Sequence, residues 1–586
     1  KGLLSFDGEN FRQWGINEGL AGNTVYNTFI EDDNNMWVAT NNGVCVFDGE
    51  TFKIIHEFNN PHALDNGDVS SIEKSKDGIY FFGQDVRGLI IYDPNSLRNI
   101  EKADGFKKGQ VGRIKYDNEN NLWISQWNGN GGISRIENEQ VVEYITIDDG
   151  LPNFRVTDFD FSRDNKMWIG TPNGLAVYDI DEKKMKVFQK KDGLPETNIR
   201  GLAIDDNDII WLYTPSGLIR YDGELFTLYT QDDGLVRPRG NGRVKIDNKG
   251  NVVFTTYGSG FSIFDGKSFK NYDKSNGMVD GRIWDIGIDS KNNYWIALDG
   301  SGVQMFNGKS FEHYDVEDGV GSGETWSVFV DDFDMVWIGT FHGGACMFDG
   351  SNWNCLDQRD GLVDNTISSI FGTNGNRVWF GGLNGITTYV PKREVSNVYI
   401  KNVTTPQEVF VGRDLSSQEY QIVVGNRISF GLNSNSFNTL EEKQKYIVSI
   451  KSGVLVKDTL INSSKFDFNS TETGDFSLSF KSIDRDLNYS NPVNISFSVI
   501  GPWYINPKTA LPFWCFVIIM IVSSSFTTSK YLKQRKVAFN LREESAKKDR
   551  DARERLEEKN SELQDSKKEA EAANEAKRTF LANMSH

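Results

Sequence analysis

The chain has 586 residues, too many for one domain, and is rich in Gly (56), Trp (14), Tyr (20) and Phe (39), which points to many short strands and tight turns. Its formal charge of −18 is uneven, with residues 530–586 carrying a net +3 and the remainder −21. So acidic a body argues against nucleic-acid binding by the large N-terminal part, because phosphate recognition needs a basic face.

No basic-then-apolar leader opens the sequence. Lys1-Gly2-Leu3 runs at once into Leu4-Ser5-Phe6-Asp7-Gly8, the middle of a repeat, so the N-terminus reads as cut inside a unit. That unit recurs to about residue 390: Asp-Gly-Leu, a β-rich run, an Asp/Asn-rich turn, Trp-Ile-Gly-Thr, a Gly, then an aromatic followed by Asp-Gly. Clear copies run from Asp192-Gly193-Leu194 through Trp211 to Tyr221-Asp222-Gly223, and from Asp360-Gly361-Leu362 through Trp379-Phe380-Gly381. The Trp-equivalent positions are Trp37, Tyr80, Trp123, Trp168, Trp211, Val253, Trp295, Trp337 and Trp379, the last four steps being 42 residues each.

A period near 42 with four short strands predicts a β-propeller blade. The Asp-Gly pairs read as hairpin turns, since Gly accepts positive φ, and the aligned Trp reads as packing between blades. Nine units exceed one ring, so the fold class expected is mainly β: a complete seven-bladed propeller over 101–392, preceded over 1–100 by the last blades of a truncated first propeller. A single larger ring is the alternative. The repeat resembles the two-component-regulator propeller family, usually found as paired propellers in bacterial sensors.

In a four-stranded antiparallel blade, the loops entering the first strand share a rim with those joining the second and third. The first group contributes Arg113, Arg155, Arg200, Arg237, Arg239, Arg243, Arg282, Trp284 and Trp326; the second contributes Trp127, Tyr213, Tyr257, Phe341 and His342. Aromatic faces pack on sugar rings and Arg grips carboxylate or sulfate with two donors, so this rim is expected to bind an oligosaccharide, an anionic one included. The resembled family often serves polysaccharide-degrading bacteria as glycan sensors, which supports the class of ligand. The opposite rim carries Asp/Asn-rich turns such as Asp117-Asn118-Glu119-Asn120-Asn121, read as turn capping rather than calcium loops.

Of four cysteines, Cys45, Cys346, Cys355 and Cys515, none sits in a CxxC pair, and the five histidines are scattered, so no metal site is expected. Cys346 and Cys355 flank Asp349-Gly350 and could face each other across a hairpin as a disulfide in an oxidising compartment.

After Val390-Pro391 the period stops. Over 393–503 the residues alternate, as in Lys445-Tyr446-Ile447-Val448 and Asp475-Phe476-Ser477-Leu478, which predicts an immunoglobulin-like sandwich. It resembles the Tyr-rich sandwich that follows such propellers, with Phe476 where that family often has Tyr. Residues 509–529 carry no charge and, at about 1.5 Å each, span a bilayer core of roughly 30 Å. Pro512 fits the first turn of such a helix, and Trp503, Tyr504 and Trp514 suit the outer interface. Lys530, Lys533, Arg535 and Lys536 follow, placing the C-terminal side in the cytoplasm by the positive-inside rule. The expected location is the inner membrane, single-pass, with the N-terminal part in the periplasm.

Residues 530–575 are rich in Glu, Lys, Arg and Ala, without Gly or Pro, and predict a stalk helix. Leu556, Leu563 and Ala570 fall at heptad position a, with Ala552, Ala573 and Phe580 at d, a thin seam for a parallel homodimeric coiled coil.

Residues 576–586 end in Phe580-Leu581-Ala582-Asn583-Met584-Ser585-His586, which resembles the phosphoacceptor box of sensor histidine kinases. The resemblance implies that His586 accepts the γ-phosphate of ATP, through a neutral imidazole nitrogen available at cytoplasmic pH. It also implies a Mg²⁺- and ATP-binding catalytic domain and a response-regulator or receiver partner; without that domain the stretch here is expected to be inactive alone. Two alternatives belong to other classes: the ectodomain of a diguanylate cyclase, against which the phosphoacceptor box argues, and a propeller polysaccharide lyase or glycosidase, which needs converging carboxylates or a Tyr/His base.

Overall fold

The computed structural model describes residues 2–582 except 7, 32–34, 56–67, 77, 85–87, 93–96, 101–103, 108, 129–130, 373–376, 394, 413–414, 416–417, 437–438, 453–454 and 505–506. The fold class is the one the period predicts. Six consecutive four-stranded antiparallel sheets cover 111–145, 158–188, 201–229, 244–272, 283–314 and 325–356, here blades I to VI. Blade VII is built from both ends of the repeat: three strands from 369–389, and as its outermost strand Leu97–Ile100.

Each blade is flat and half-apolar, so it buries its faces only against its neighbours. Apolar clusters join I to II around Trp123 and Phe159, II to III around Leu175 and Leu212, and III to IV around Tyr213 and Phe254. The circuit continues from IV to V around Phe261 and Ile286, V to VI around Ala297 and Ile338, VI to VII around Trp337 and Phe380, and VII to I around Trp379 and Ile114. That circuit is closed: Ser368 Oγ of blade VII donates to the Val111 carbonyl of blade I at 2.7 Å.

The recurring Trp does more than pack. In blade I the Asp117 carboxylate accepts the Trp123 indole N–H at 2.8 Å while also capping the turn through the backbone N–H groups of Glu119 and Asn121. The same six-residue offset joins Asp205 to Trp211, Asp289 to Trp295 and Asp331 to Trp337. Blade IV has Val253 in place of Trp, and its Asp247 accepts instead from the Tyr294 hydroxyl of blade V at 2.7 Å.

One expectation is corrected. The Asp-Gly pairs are not all hairpin turns. Asp222-Gly223 and Asp265-Gly266 do join third and fourth strands, but Gly150, Gly193 and Gly234 end 3₁₀ turns that link one blade to the next. There Gly is needed because the residue after the turn adopts φ of 88–99°.

Ahead of the ring lie a two-stranded sheet (3–14), a four-stranded one (25–55) and a three-stranded one (69–92). Trp37, Tyr80 and Phe82 pack the last two together. The three-stranded sheet is short by the strand that blade VII takes.

After the ring, a four-stranded and a five-stranded sheet over 398–500 enclose Phe430, Tyr446, Phe480 and Phe497. The turn 484–489 of this sandwich presses Leu487 and Tyr489 onto blades VI and VII. Arg485, buried, contacts Asp486, whose carboxylate accepts the Tyr389 hydroxyl of blade VII. A single helix, Pro507–Ala582, follows, and its apolar part is long enough to cross a membrane. Because it begins at Pro507, Pro512 lies in its second turn rather than its first, where the missing N–H costs one helical bond.

Candidate functional site

Blades place their first strands around the ring axis, so residues at the start of those strands meet at the mouth. Arg113 and Trp127 of blade I, Arg243 at the entry to blade IV, Trp284 of blade V and Trp326 of blade VI line one cavity of about 150 Å³. Blades I and IV stand on opposite sides of a seven-membered ring; a cavity touching both lies on its axis.

The mouth has two unlike arcs. Along blades IV to VI runs a ladder of rings: Tyr257 to Trp284 at 5.1 Å between centroids, Trp284 to Trp326 at 5.9 Å, Trp326 to Phe341 at 4.9 Å. Each is only half-buried, so ring surface remains open to a ligand. His342 stands at the end of the ladder, beside Phe341, with φ of 64° and Nδ1 3.2 Å from the Thr366 hydroxyl.

The other arc is cationic. The Arg155 guanidinium lies 4.2 Å over the Trp127 ring. Burial, and then the neighbouring Arg200, push its pKa down. Arg200 donates to the Gly240 carbonyl. Arg113 and Arg243 are 8% and 5% exposed. Each has a buried carboxylate beside it, Asp158 at 3.5 Å and Asp285 at 3.8 Å.

Not every expected residue reaches the site. Tyr213 is a correction: it is fully buried, and its hydroxyl donates to the Arg239 and Gly240 carbonyls, so it supports the loop from below and cannot touch a ligand. Arg282 is held between Asp280 and Asp299, and Tyr257 donates to the same Asp299 at 2.5 Å. Arg237 and Arg239 stand exposed on the loop before blade IV. Asp158 and Asp285, which orient the two buried arginines, were not singled out from the sequence; their signal is the same first-strand position in blades II and V.

Elsewhere, a disulfide joins Cys346 to Cys355, which are direct partners across adjacent strands of blade VI. Cys355 also lines a groove of about 440 Å³ between blade VI and the sandwich, with Arg359, Lys443 and Lys445. Among the described residues no group of three or more His, Cys, Asp or Glu side chains could hold a metal ion. His586 lies outside the described residues; the helix that leads to it is continuous through Ala582.

No family model matches the chain, and no curated protein matches it. Among solved structures, the extracellular domain of a protein described as a hybrid two component system from B. thetaiotaomicron is similar with a TM-score of 0.55 at 19% identity, over 82% of this chain and 68% of that one. The extracellular domain of another, described as a one component system from the same organism, is 17% identical over 84% of this chain and 71% of that one, with a TM-score of 0.43. Virginiamycin B lyase from Staphylococcus aureus covers 50% of this chain and 98% of its own, at 13% identity and a TM-score of 0.41. The first likeness shows a shared fold; the other two are too distant to carry an argument.

Proposed function

We propose that the chain is the sensing and transmitting part of a single-pass sensor histidine kinase, whose ectodomain binds an oligosaccharide at the ring mouth. The observation that carries the reading is the ladder Tyr257–Trp284–Trp326–Phe341, open to solvent across three blades. Successive sugar rings stack on such planes through their apolar faces. The likeness of fold to an extracellular domain described as part of a hybrid two component system supports the sensor class.

The propeller and sandwich lie outside the membrane in this reading, and one helix carries the output inward. Ligand that prefers one arrangement of two ectodomains biases the geometry of a paired stalk, and with it the access of His586 to an ATP- and Mg²⁺-binding domain. Phosphate then passes from His586 to a response regulator or receiver domain. A lyase or glycosidase chemistry at the same mouth has less support. Its buried carboxylates, Asp158 and Asp285, sit beside arginines and accept backbone N–H groups, which leaves neither placed as a free acid or base.

The test is calorimetry of the chain in nanodiscs against neutral and acidic oligosaccharides, with Trp326→Ala as the comparison. Loss of one stacking plane is expected to weaken binding about tenfold, as for an aromatic worth roughly 1 to 1.5 kcal/mol. In the whole kinase, His586→Gln is expected to abolish phosphate incorporation. Binding of no saccharide at all, or phosphorylation that survives the His586 substitution, would overturn the reading.

A further inference from the structure

The cavity on the ring axis gathers unpaired donors, with Gln110 and Ser368 completing its polar lining. Arg113 Nη2, Trp127 Nε1, Arg243 Nε and Trp284 Nε1 are all buried and none has a hydrogen-bond acceptor in the protein; Arg155 Nε, beside Trp127, is in the same condition. Every one is a donor. Two belong to guanidinium groups more than nine-tenths buried. A buried donor without an acceptor is costly, more so when charged, and folded proteins keep few of them. Four on one small cavity are a site rather than a packing accident.

The local geometry holds them in place. Arg113 folds one amine back on the Gly112 carbonyl at 2.6 Å, and Arg243 folds one on the Gly242 carbonyl at 3.3 Å. Arg113 turns Nε to Asp158 at 3.5 Å and keeps Nη2 without an acceptor, while Arg243 Nε, 3.8 Å from Asp285, stays beyond hydrogen-bond reach of it; both side chains line the cavity. The charges of Asp158 and Asp285 match those of Arg113 and Arg243. Arg155 and Arg200 add two positive charges that, among the described residues, have no carboxylate within ion-pair distance. The mouth is therefore positive inside an acidic protein.

We infer that the axial cavity is an oxyanion seat, which takes one carboxylate or sulfate substituent of the saccharide while its ring lies against Trp284 and Trp326. This deepens the reading of the mouth as a glycan site and rests on it. Four unpaired donors, two of them on cations, are met best by a carboxylate or sulfate, which brings several acceptor lone pairs and negative charge together, whereas a sugar hydroxyl brings no charge. The volume agrees. A cavity of about 150 Å³ takes roughly one benzene-sized group, so an acid substituent enters and the rest of a chain stays outside. The ligand is thus an acidic glycan with a uronate or sulfate ester at the unit bound nearest the axis.

The full chain in nanodiscs is titrated at low salt with three probes: a glucuronate-containing disaccharide, its neutral glucose counterpart, and a sulfated counterpart. The result expected is at least a tenfold preference for one or both acidic forms over the neutral one, shrinking as salt is raised. The preferred acid tells uronate from sulfate. Arg243→Gln is expected to reduce the acid-to-neutral ratio at least fivefold. Because Arg243 also balances Asp285, Trp127→Phe serves as a second variant: it removes one donor and keeps an aromatic ring, and its ratio is expected to fall two- to fivefold. Neutral and acidic forms bound equally by the wild type, or a preference untouched by both substitutions, overturn the seat while leaving the glycan site standing. No binding of any probe overturns both.

Discussion

Leu97 lies directly opposite Tyr389 in an antiparallel pair, so a strand from before the ring's first blade completes its last. Closure of this kind fastens the first and last blades of the circuit to one stretch of chain and leaves each blade only short edges. It also ties the N-terminal sheets to the ring, because the strand is the one their third sheet lacks. Asn99 adds a side-chain clasp, accepting from the Thr387 hydroxyl at 2.7 Å and donating to the Gly361 carbonyl at 3.2 Å.

Ile100 is the apolar anchor of that strand, fully buried against Trp379 and Ile386. Ile100→Ala is expected to cost about 2 to 5 kcal/mol, the range for truncating a buried Ile, and to loosen blade VII before other blades. Hydrogen exchange read blade by blade, with the denaturation midpoint, checks this. A cost below about 1 kcal/mol, the level typical of milder substitutions, would show that the ring holds without the strand.

The shared Asp–Trp device predicts a second effect. Asp117→Ala leaves the fully buried Trp123 indole N–H and two turn N–H groups without their acceptor. The expected loss is about 1 to 3 kcal/mol per donor left unsatisfied, so several in all. Asp206→Ala, at the exposed turn position next to Asp205, which itself makes the contact to Trp211, is the control and should move the midpoint little. Equal effects from the two would count against the device.

Much of this was legible in the residues, and the exceptions have physical reasons. The Trp period reports a repeating environment, so blade number and phase can be read from it. Leu97–Ile100 carries no mark of its destination, since a fourth strand reads alike whether it pairs with its own sheet or with one three hundred residues on. The rim was legible as a list of loop residues. Which of them converge depends on depth along the strand, and that is why Tyr213 went under while Arg243 came to the axis. The sandwich turn was missed altogether. Asp484 accepts from the backbone N–H groups of Asp486 and Asn488 and from the Asn488 side chain, as Asp117 does in blade I. Leu487 holds φ of 60° where Asn120 holds 65°. A leucine in that conformation gives no sequence signal, and it persists because its side chain is clamped between blades VI and VII.

The Cys346–Cys355 disulfide closes a short loop, with a sequence separation of 9. The chain-entropy estimate for such a loop is about 2 to 3 kcal/mol. Reductant is therefore expected to lower the wild-type melting midpoint and to leave that of a Cys346→Ala, Cys355→Ala double variant unmoved. A wild-type midpoint indifferent to reductant, with both thiols titratable, would overturn the prediction.

The joint between ring and sandwich should respond to pH through Asp484. Burial pushes its carboxyl up to about 6, against the hydrogen bonds from Asn488, with Asp486 adding to the push. An unfolded Asp titrates near its ordinary 3.8. Between those two values the folded protein holds a proton that the unfolded chain has released, so stability falls as pH rises from about 4 to about 6 and then levels off. The span of about two units corresponds to roughly 3 kcal/mol at most. Asp357, in the same joint, works in the opposite sense: burial raises its carboxyl, but hydrogen bonds from Arg359 and Lys443 outweigh that and hold it near 2, so its contribution is lost only on acidification below about 3.8. The two windows do not overlap, which makes Asp484 separable. Asp484→Asn keeps a turn-capping acceptor and removes the titration. The wild-type-minus-variant difference in unfolding free energy should therefore change mainly between pH 4 and pH 6, finish within about one unit above 6 and be flat by pH 8. A difference that is flat across the whole range would show that the carboxyl titrates alike in both states, and that the buried joint exacts no proton.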